Sequence, residues 1–275
     1  MRENLSLEIR DVSKTYCVDG SDLPALRDIS FTVEEGEFVT ILGASGCGKS
    51  TLLRLIIGLD SDYHGDILLD GRRVAGPGAD RGIVFQEPRL LPWLTVEQNV
   101  ALGLDASGTP AAMSKRIAHE QLKRVRLAGF ERAYPHQLSG GMAQRAAIAR
   151  ALISQPKVLL MDEPLGALDS QTRAYMQEEL LGLWRRENIT MLMVTHDIEE
   201  AVYLSNKVVV MEPSPGRVRG ILPIEWQHPR DRGSPAFARL KERILGMLIK
   251  GAQDEPFGSA FVDDEGMRYP ALFGG

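Results

Sequence analysis

Two cysteines in 275 residues, Cys17 and Cys47, are too few for a disulfide framework and cannot make a four-thiolate zinc site. Long apolar runs are missing as well. Nothing approaches the roughly 18 to 20 uncharged residues that a membrane helix needs, and the opening MRENLSLEIRD has no apolar signal segment, so the chain is expected to stay in the cytoplasm. Positive charge is in deficit, with 32 Lys and Arg against 37 Asp and Glu and a formal net charge of −5. That leaves no broad basic field and argues against sequence-independent binding to nucleic acid. Repeats and low-complexity tracts are absent. What remains is a globular mix, 44% hydrophobic and 25% charged, sufficient for one large domain or two closely joined ones.

The strongest chemical pattern is FVTILGASGCGKSTLLRLIIGL, in which the apolar run Phe38 to Leu42 meets a glycine-rich turn and then an apolar periodic segment. It reads strand, loop, helix. Gly43, Gly46 and Gly48 let the backbone curl with its N–H groups inward, and the helix starting near Lys49 adds a positive dipole end for phosphate oxygens. In a G-x-x-x-x-G-K-S loop the ammonium of Lys49 reaches the β- and γ-phosphates of a nucleotide, and the hydroxyl of Ser50 completes a Mg²⁺ shell. Cys47 lies inside this loop, where it is either a small residue that fits or a thiol that regulates the site on oxidation.

Three further apolar runs end in chemically useful residues. KVLLMDEP places Asp162 and Glu163 at a strand's C-terminal edge, where open α/β sheets bind ligands. Successive strand residues point to opposite sides, so the two acids need not share one task. Asp162 suits the Mg²⁺ shell, and Glu163 suits orienting or deprotonating an attacking water. ITMLMVTH ends in His196, from which an imidazole reaches a γ-phosphate and steadies charge developing on it. GIVFQEP carries Gln86, whose amide is placed either to ligate Mg²⁺ or to respond to loss of the γ-phosphate, or else simply caps a turn.

LSGGMAQRAAIARAL offers a second helix N-terminus, with Ser139 as cap and bare glycine N–H groups beside it. With GASGCGKST, Gln86, KVLLMDEP, GALD and His196 in that order, this segment resembles the signature of ATP-binding-cassette (ABC) ATPases. The resemblance implies an α/β P-loop NTPase core of the ABC ATPase type, with an N-terminal antiparallel β layer and an inserted α-helical signature subdomain. It also implies a head-to-tail pair of subunits in which the signature of one closes over the nucleotide held by the phosphate loop of the other. Carried over by position, Gly43, Ala44, Ser45, Gly46, Cys47, Gly48, Lys49, Ser50 and Thr51 cradle ATP. Ser139, Gly140 and Gly141 grip the γ-phosphate in trans with Gln144 nearby, and Asp169 of GALD sits across the interface. Tyr16 of VSKTY matches the family's aromatic that stacks on adenine. Glu163, His196, Lys49 and Gln86 are the catalytic set, and Ser50, Gln86 and Asp162 the Mg²⁺ set.

Residues 1 to about 37 alternate apolar and polar around turns, as an antiparallel β layer does, and GDILLDGRRV reads as another hairpin. From about 95 to 154 the periodicity turns helical. Strands and helices resume to about 211, short strands follow around GRVRGILPIEW, and the amphipathic SPAFARLKERILGMLIKG packs on the core or on a partner. One ATPase domain over 1–250, followed by a 251–275 tail of unknown role, is the expected division. The stretches QEPRLLPWLTVEQNVALGL, VTHDIEEAVYLSNKVVVM and PRDRGSPAFARLKERIL are similar to ATPases of nitrate, taurine and aliphatic-sulfonate importers. That likeness implies integral-membrane permease subunits, a second copy of this chain, an external solute-binding protein and a peripheral position on the cytoplasmic face of the inner membrane. In PRLLPWLT, Trp93 is either part of the surface that meets the permease or an ordinary packed residue. ABC ATPases of DNA repair and translation are the alternative, but the long coiled coil or paired cassettes that mark those classes are not in these residues. A nucleotide sensor without hydrolysis has no use for Glu163 and His196.

Overall fold

A computed structural model describes residues 5–253, 261–262 and 268–269. Two long strands, β1 (Leu5–Val18) and β2 (Ser21–Glu34), pair antiparallel through a turn at Asp19 and Gly20, both with positive φ, the conformation that a two-residue hairpin turn demands. Leu7, Ile9, Val12, Ile29, Phe31 and Val33 bury one face of this layer. The hairpin of β4 (His64–Leu69) and β5 (Arg72–Arg73) joins it, in the order β2-β1-β4-β5.

The second sheet contains β3 (Phe38–Leu42), β6 (Arg81–Val84), β7 (Val158–Asp162), β8 (Thr190–Thr195), β9 (Lys207–Glu212) and β10 (Arg217–Pro223) in the order β10-β9-β3-β8-β7-β6. All neighbours pair parallel except β10, an antiparallel edge. Parallel strands covered on both faces read as near-continuous apolar runs, which is why VLLMD and TMLMVT look alike in sequence. Their alternate residues divide between two cores. Val39, Ile41, Leu160, Leu192 and Val194 face the antiparallel layer and helix α1 (Lys49–Ile57), which contributes Leu52, Leu53, Leu55 and Ile56. Phe38, Leu42, Leu159, Met161, Met191 and Met193 face the other helices.

Helices α2 (Val96–Ala101), α3 (Ala111–Arg124) and α4 (Gly140–Leu152) build a smaller core of their own from Val96, Val100, Ala118, Leu122, Ala146 and Ala149. Ala147, Ile148 and Leu152 of α4 belong to the main core instead, so its alanines allow close approach on two sides at once. Helix α5 (Ser170–Glu187) packs on the main sheet, as do α6 (Ile198–Leu204) and α7 (Pro235–Gln253). The amphipathic segment near the C-terminus lies on the core, through Phe237 and Ile244, and its helix runs past residue 251 to Gln253. Beyond it the described residues show a short antiparallel pair, Phe261–Val262 with Arg268–Tyr269; the rest of the 251–275 tail lies outside the described residues.

Helix α6 follows His196 directly and is fixed at both ends. Asp197 caps its start, accepting from the N–H groups of Glu199 (2.7 Å) and Glu200 (3.1 Å). At its C-terminal end, where carbonyls lack partners, Arg230 inserts a guanidinium that is 6% exposed and donates to the carbonyls of Val202 (2.6 Å) and Ser205 (2.7 Å). His228 adds a ring nitrogen 3.1 Å from the Leu204 carbonyl. Among the described residues no carboxylate partners Arg230, and burial pushes it down to about 10. Arg230→Met strands these carbonyls and should cost about 3 kcal/mol of stability, read as a lower urea midpoint at unchanged slope. Burial, with the charges of Arg230 and Arg185 adding to it, takes His228 from 6.5 down to about 4. Below pH 6.5 the unfolded chain gains a proton there that the folded chain refuses, so stability should fall as pH drops from 6.5 toward 4. His228→Gln should flatten that part of a denaturation profile measured against pH.

Candidate functional site

Strand β3 ends in the middle of the sheet, and its loop returns as α1. At Gly43 a Cβ would stand 2.6 Å from the Cys47 sulfur and 2.8 Å from the Met211 carbonyl, so no side chain fits. Gly48 has φ 87° and lies under Leu26 of β2, which a Cβ would meet at 2.5 Å. These contacts set the curl of the loop from below. Ala44, Ser45 and Gly46 form its exposed crest, with Ser50 exposed at the start of α1 and Thr51 half-buried behind it. Lys49 is buried, and its ammonium donates to the carbonyls of Gly43 (2.8 Å) and Ala44 (2.9 Å). Cys47 is fully buried, and burial pushes its thiol up despite the opposing pull of Lys49. A buried thiol with a raised pKa is a poor nucleophile, and Cys47 packs directly beneath Gly43.

The hydroxyl of Ser50 donates to Asp162 Oδ1 at 3.0 Å, which ties the start of α1 to the end of β7. Burial raises the Asp162 carboxyl, the Ser50 hydrogen bond works against that rise, and Glu163 adds to it. Glu163 turns away from the strand with φ 44°, a left-handed conformation uncommon outside glycine, while its N–H donates to the Val194 carbonyl of β8 (3.0 Å). Its Oε2 lies 3.0 Å from His196 Nδ1. An ionised carboxylate only accepts, so Nδ1 carries the proton in this pair. Gln86 is exposed just beyond β6, with its amide beside Gly166. A Cβ at Gly166 would sit 3.3 Å from Gln86 Nε2 and 3.7 Å from Glu163 Oε2. The glycine therefore leaves room for both side chains.

Ser139 caps α4, accepting from the N–H of Met142 at 3.3 Å. The shallow pocket beside Ser139 and Gly141 is lined by Met142, Arg145, Gln171, Thr172, Tyr175 and Met176, with no residue of the phosphate loop among them. A Cβ at Gly140 would meet Leu168 at 3.5 Å, and one at Gly141 would meet Thr172 at 3.0 Å, so the second glycine is buried to let α4 sit against α5. Gln144 is 2% exposed and donates to the Phe85 carbonyl (3.2 Å), joining α4 to the strand end before Gln86. Asp169 is exposed and caps α5, accepting from Gln171 N (3.1 Å) and Thr172 N (3.0 Å). The Thr172 bonds, with that of Gln171, hold its carboxyl below the usual range. Tyr16 is half-buried near the β1–β2 turn, with the Lys14 ammonium 4.9 Å from its ring centroid. Lys14 is itself buried between Asp60 and Asp62; burial opposes its charge, but the two carboxylates lift its pKa above the ordinary value.

Strand ends thus gather Gly43, Lys49, Ser50, Asp162, Glu163, His196 and Gln86 at one edge of the sheet. A cleft of about 1000 Å³ opens at the other edge beside Lys157 and Thr190 and includes none of the predicted residues. Among the described residues no cluster of three or more His, Cys, Asp or Glu could enclose a metal ion. The hard oxygens of Ser50 and Asp162 fit Mg²⁺, which takes one or two protein oxygens and completes its shell with water and phosphate. Sequence reading missed Gly166, Thr172 and Arg173. Gly166 stood inside the quoted GALD and was a detectable signal; the other two show their role only through contacts across the fold.

The ABC transporter family matches residues 26–166. An ABC transporter ATP-binding protein of Methanocaldococcus jannaschii is 49% identical over 90% of this chain and 92% of its own. The aliphatic sulfonates import ATP-binding protein SsuB of Bacillus licheniformis is 47% identical over 88% and 93%. The nitrate import ATP-binding protein NrtD of Synechocystis is 46% identical over 91% and 97%. Among solved structures, a dimeric post-hydrolysis ATP-binding cassette, MJ0796 with ADP and Pi, superposes with TM-score 0.70 and 33% identity, covering 80% of this chain and all of that one. The cbiO1 protein of Clostridium perfringens, part of the cbiONQ transporter complex, gives TM-score 0.71 at 29% identity over 91% and 99%. With phosphate loop, paired acids, histidine and signature helix all in that family's order, this chain belongs to the ABC transporter ATP-binding family and is an ATPase.

Proposed function

We propose that the chain is the ATP-hydrolysing subunit of an importer, working as a head-to-tail pair of identical copies beneath integral-membrane permease subunits that receive solute from an external binding protein. The observation that supports this reading is the bond of Ser50 to Asp162 next to the contact of Glu163 with His196, in which the phosphate loop, the paired acids and the imidazole meet along one edge. Ser139 and Gly140 lie in the helical cluster, exposed and without a partner from their own phosphate loop, which supports service to a nucleotide on the opposite protomer. A two-fold axis then gives two equivalent sites.

In the mechanism we infer, Lys49 and the loop N–H groups bind the phosphates of ATP, and Tyr16 offers a ring face to adenine. Ser50 and Asp162, with Gln86 as a further candidate, would hold Mg²⁺, which when bound supplies neutralisation of phosphate charge. Glu163 has one carboxylate oxygen on His196 and the other available to orient or deprotonate the attacking water. With Nδ1 engaged by that carboxylate, Nε2 is the ring atom left to meet charge developing on the γ-phosphate. Closure is stabilised only by contacts made to ATP across the interface, so loss of the γ-phosphate favours reopening.

The domain reading that fits is one ATPase unit over 1–250 with a helical insertion at about 95–154. Trp93 is 69% exposed at the tip of a loop held from beneath, with Arg150 donating to the Pro88 and Arg89 carbonyls and Asn99 bonding Leu91 and Leu94. A rigid loop that presents an indole to solvent is suited to docking on the permease. No described helix is long and apolar enough to cross a membrane, in keeping with a peripheral subunit on the cytoplasmic face of the inner membrane. The solute class suggested by the relatives is a small oxyanion, nitrate or an aliphatic sulfonate. Copurification of the permease, followed by ATPase assays in vesicles with the binding protein and each solute, tests it; no stimulation by any of these anions would remove that class.

Glu163→Gln should slow magnesium-dependent phosphate release at least about 100-fold while ATP still binds and holds a dimer on gel filtration; near-normal turnover refutes its role as base. Lys49→Ala should move the ATP titration to much higher concentration, and an unshifted titration counts against the loop.

A further inference from the structure

Arg173 lies in the first turns of α5, four residues after the Asp169 cap. Its Nη2 donates to the Leu168 carbonyl at 3.0 Å. Leu168 and Thr172 are the residues on which Gly140 and Gly141 of the signature rest. The same guanidinium faces two carboxylates of the helix that follows His196: Nη1 is 3.8 Å from Asp197 Oδ2, and Nε is 3.7 Å from Glu200 Oε1. Glu200 is 4% exposed, and its other oxygen accepts from the hydroxyl of Thr195 at 2.8 Å. Thr195 in turn accepts from the N–H of Asp197 at 3.0 Å. The residues before and after His196 are therefore held by the group that Arg173 faces.

Two features mark this contact as adjustable. Burial raises the Glu200 carboxyl, Asp197 adds to the rise, and Arg173 is among the charges that oppose it. The Nε of Arg173 is buried with no hydrogen-bond partner, although a carboxylate oxygen stands 3.7 Å away. An unpaired buried donor is costly, and a shift of about 0.7 Å would bring it to ordinary bonding distance.

We propose that Arg173 is a positioning residue that links the segment from Gly166 to Asp169 and the signature of each protomer to the backbone that carries His196. Movement of the signature against the opposite protomer's ATP then reaches the imidazole at the chain's own ATP through Leu168, Arg173, Glu200 and Thr195. This rests on the head-to-tail reading above.

Arg173→Gln, Glu200→Gln and the double variant should bind ATP within about twofold of wild type by mant-ATP fluorescence. Each should lose about 10-fold or more in kcat through misplacement of a reacting group, with a Hill coefficient for ATP turnover lowered toward one. The double variant should be no slower than the slower single, and Arg173→Lys should recover part of the loss. Wild-type kcat and cooperativity in Arg173→Gln, multiplied losses in the double, or ATP affinity falling in step with kcat would overturn the assignment. Should Arg173→Gln unfold, Thr195→Val breaks the same chain of contacts and is judged by the same kinetics. A wild-type protein that hydrolyses ATP without cooperativity and never dimerises sinks the head-to-tail reading instead.

Discussion

The register of the parallel sheet is the constraint on which the site depends. Leu42 pairs with Thr195, Asp162 with Val194, and Val84 with Met161, so the ends of four strands step back by at most one residue from each strand to the next. The residues just beyond those ends, Gly43, Glu163, His196 and Gln86, then leave the sheet along a single edge. The connection leaving β3 runs toward β6, and the one leaving β8 runs the other way to β9, so β3 and β8 flank the switch point where such sheets open a crevice. A one-residue slip in any of these parallel pairings would both invert the two cores and separate the groups that must act together.

Chemistry that depends on chain-local spacing was legible in the sequence. The phosphate loop, the apolar runs ending in Asp162 and His196, and the antiparallel opening follow from patterns within a few residues of one another. Side-chain direction was not. Glu163 meets His196 because its backbone takes a positive φ, and no pattern in KVLLMDEP announces that. One face of α4 is turned inward, so that the Gln144 amide bonds the Phe85 carbonyl 59 residues away, and nothing in LSGGMAQ announces that partner. The alanines of α4 have their reason only once two cores are seen to press on it. Arg230 bonds carbonyls 25 and 28 residues away, and Arg173 reaches carboxylates 24 and 27 residues away. Such partners are set by topology, and a single sequence does not contain it explicitly.

The antiparallel layer does more than cover one face of the sheet. Leu26 and the Ala25 carbonyl press on Gly48, and a Cβ at Gly216 would strike the Cys47 carbonyl, so the loop is held between β2 and the turn before β10. Tyr16 belongs to the same hairpin, opposite Leu23, and Lys14 opposite Leu26 anchors it through Asp60 and Asp62. The distance of the Tyr16 ring from the phosphate loop is therefore set by one packed unit. An aromatic contact then adds orientation at little entropic cost.

Within one chain, the elements that would serve two different nucleotides are packed together. Gly140 lies on Leu168, Gly141 on Thr172, and Asp169 caps the helix that carries Arg173. A side chain at Gly141 would push α4 off α5 and open this join, so that glycine is set by packing as much as by any anion. Coupling between distant sites requires a rigid body with more than one stable arrangement, and here the rigid part is α4 against the start of α5. The looser part is the long ion pair from Arg173 to Asp197 and Glu200, at 3.8 and 3.7 Å. A tight contact on the signature side and a slack one on the histidine side is the order a relay needs, because displacement is carried intact to the place where a small shift changes a hydrogen bond.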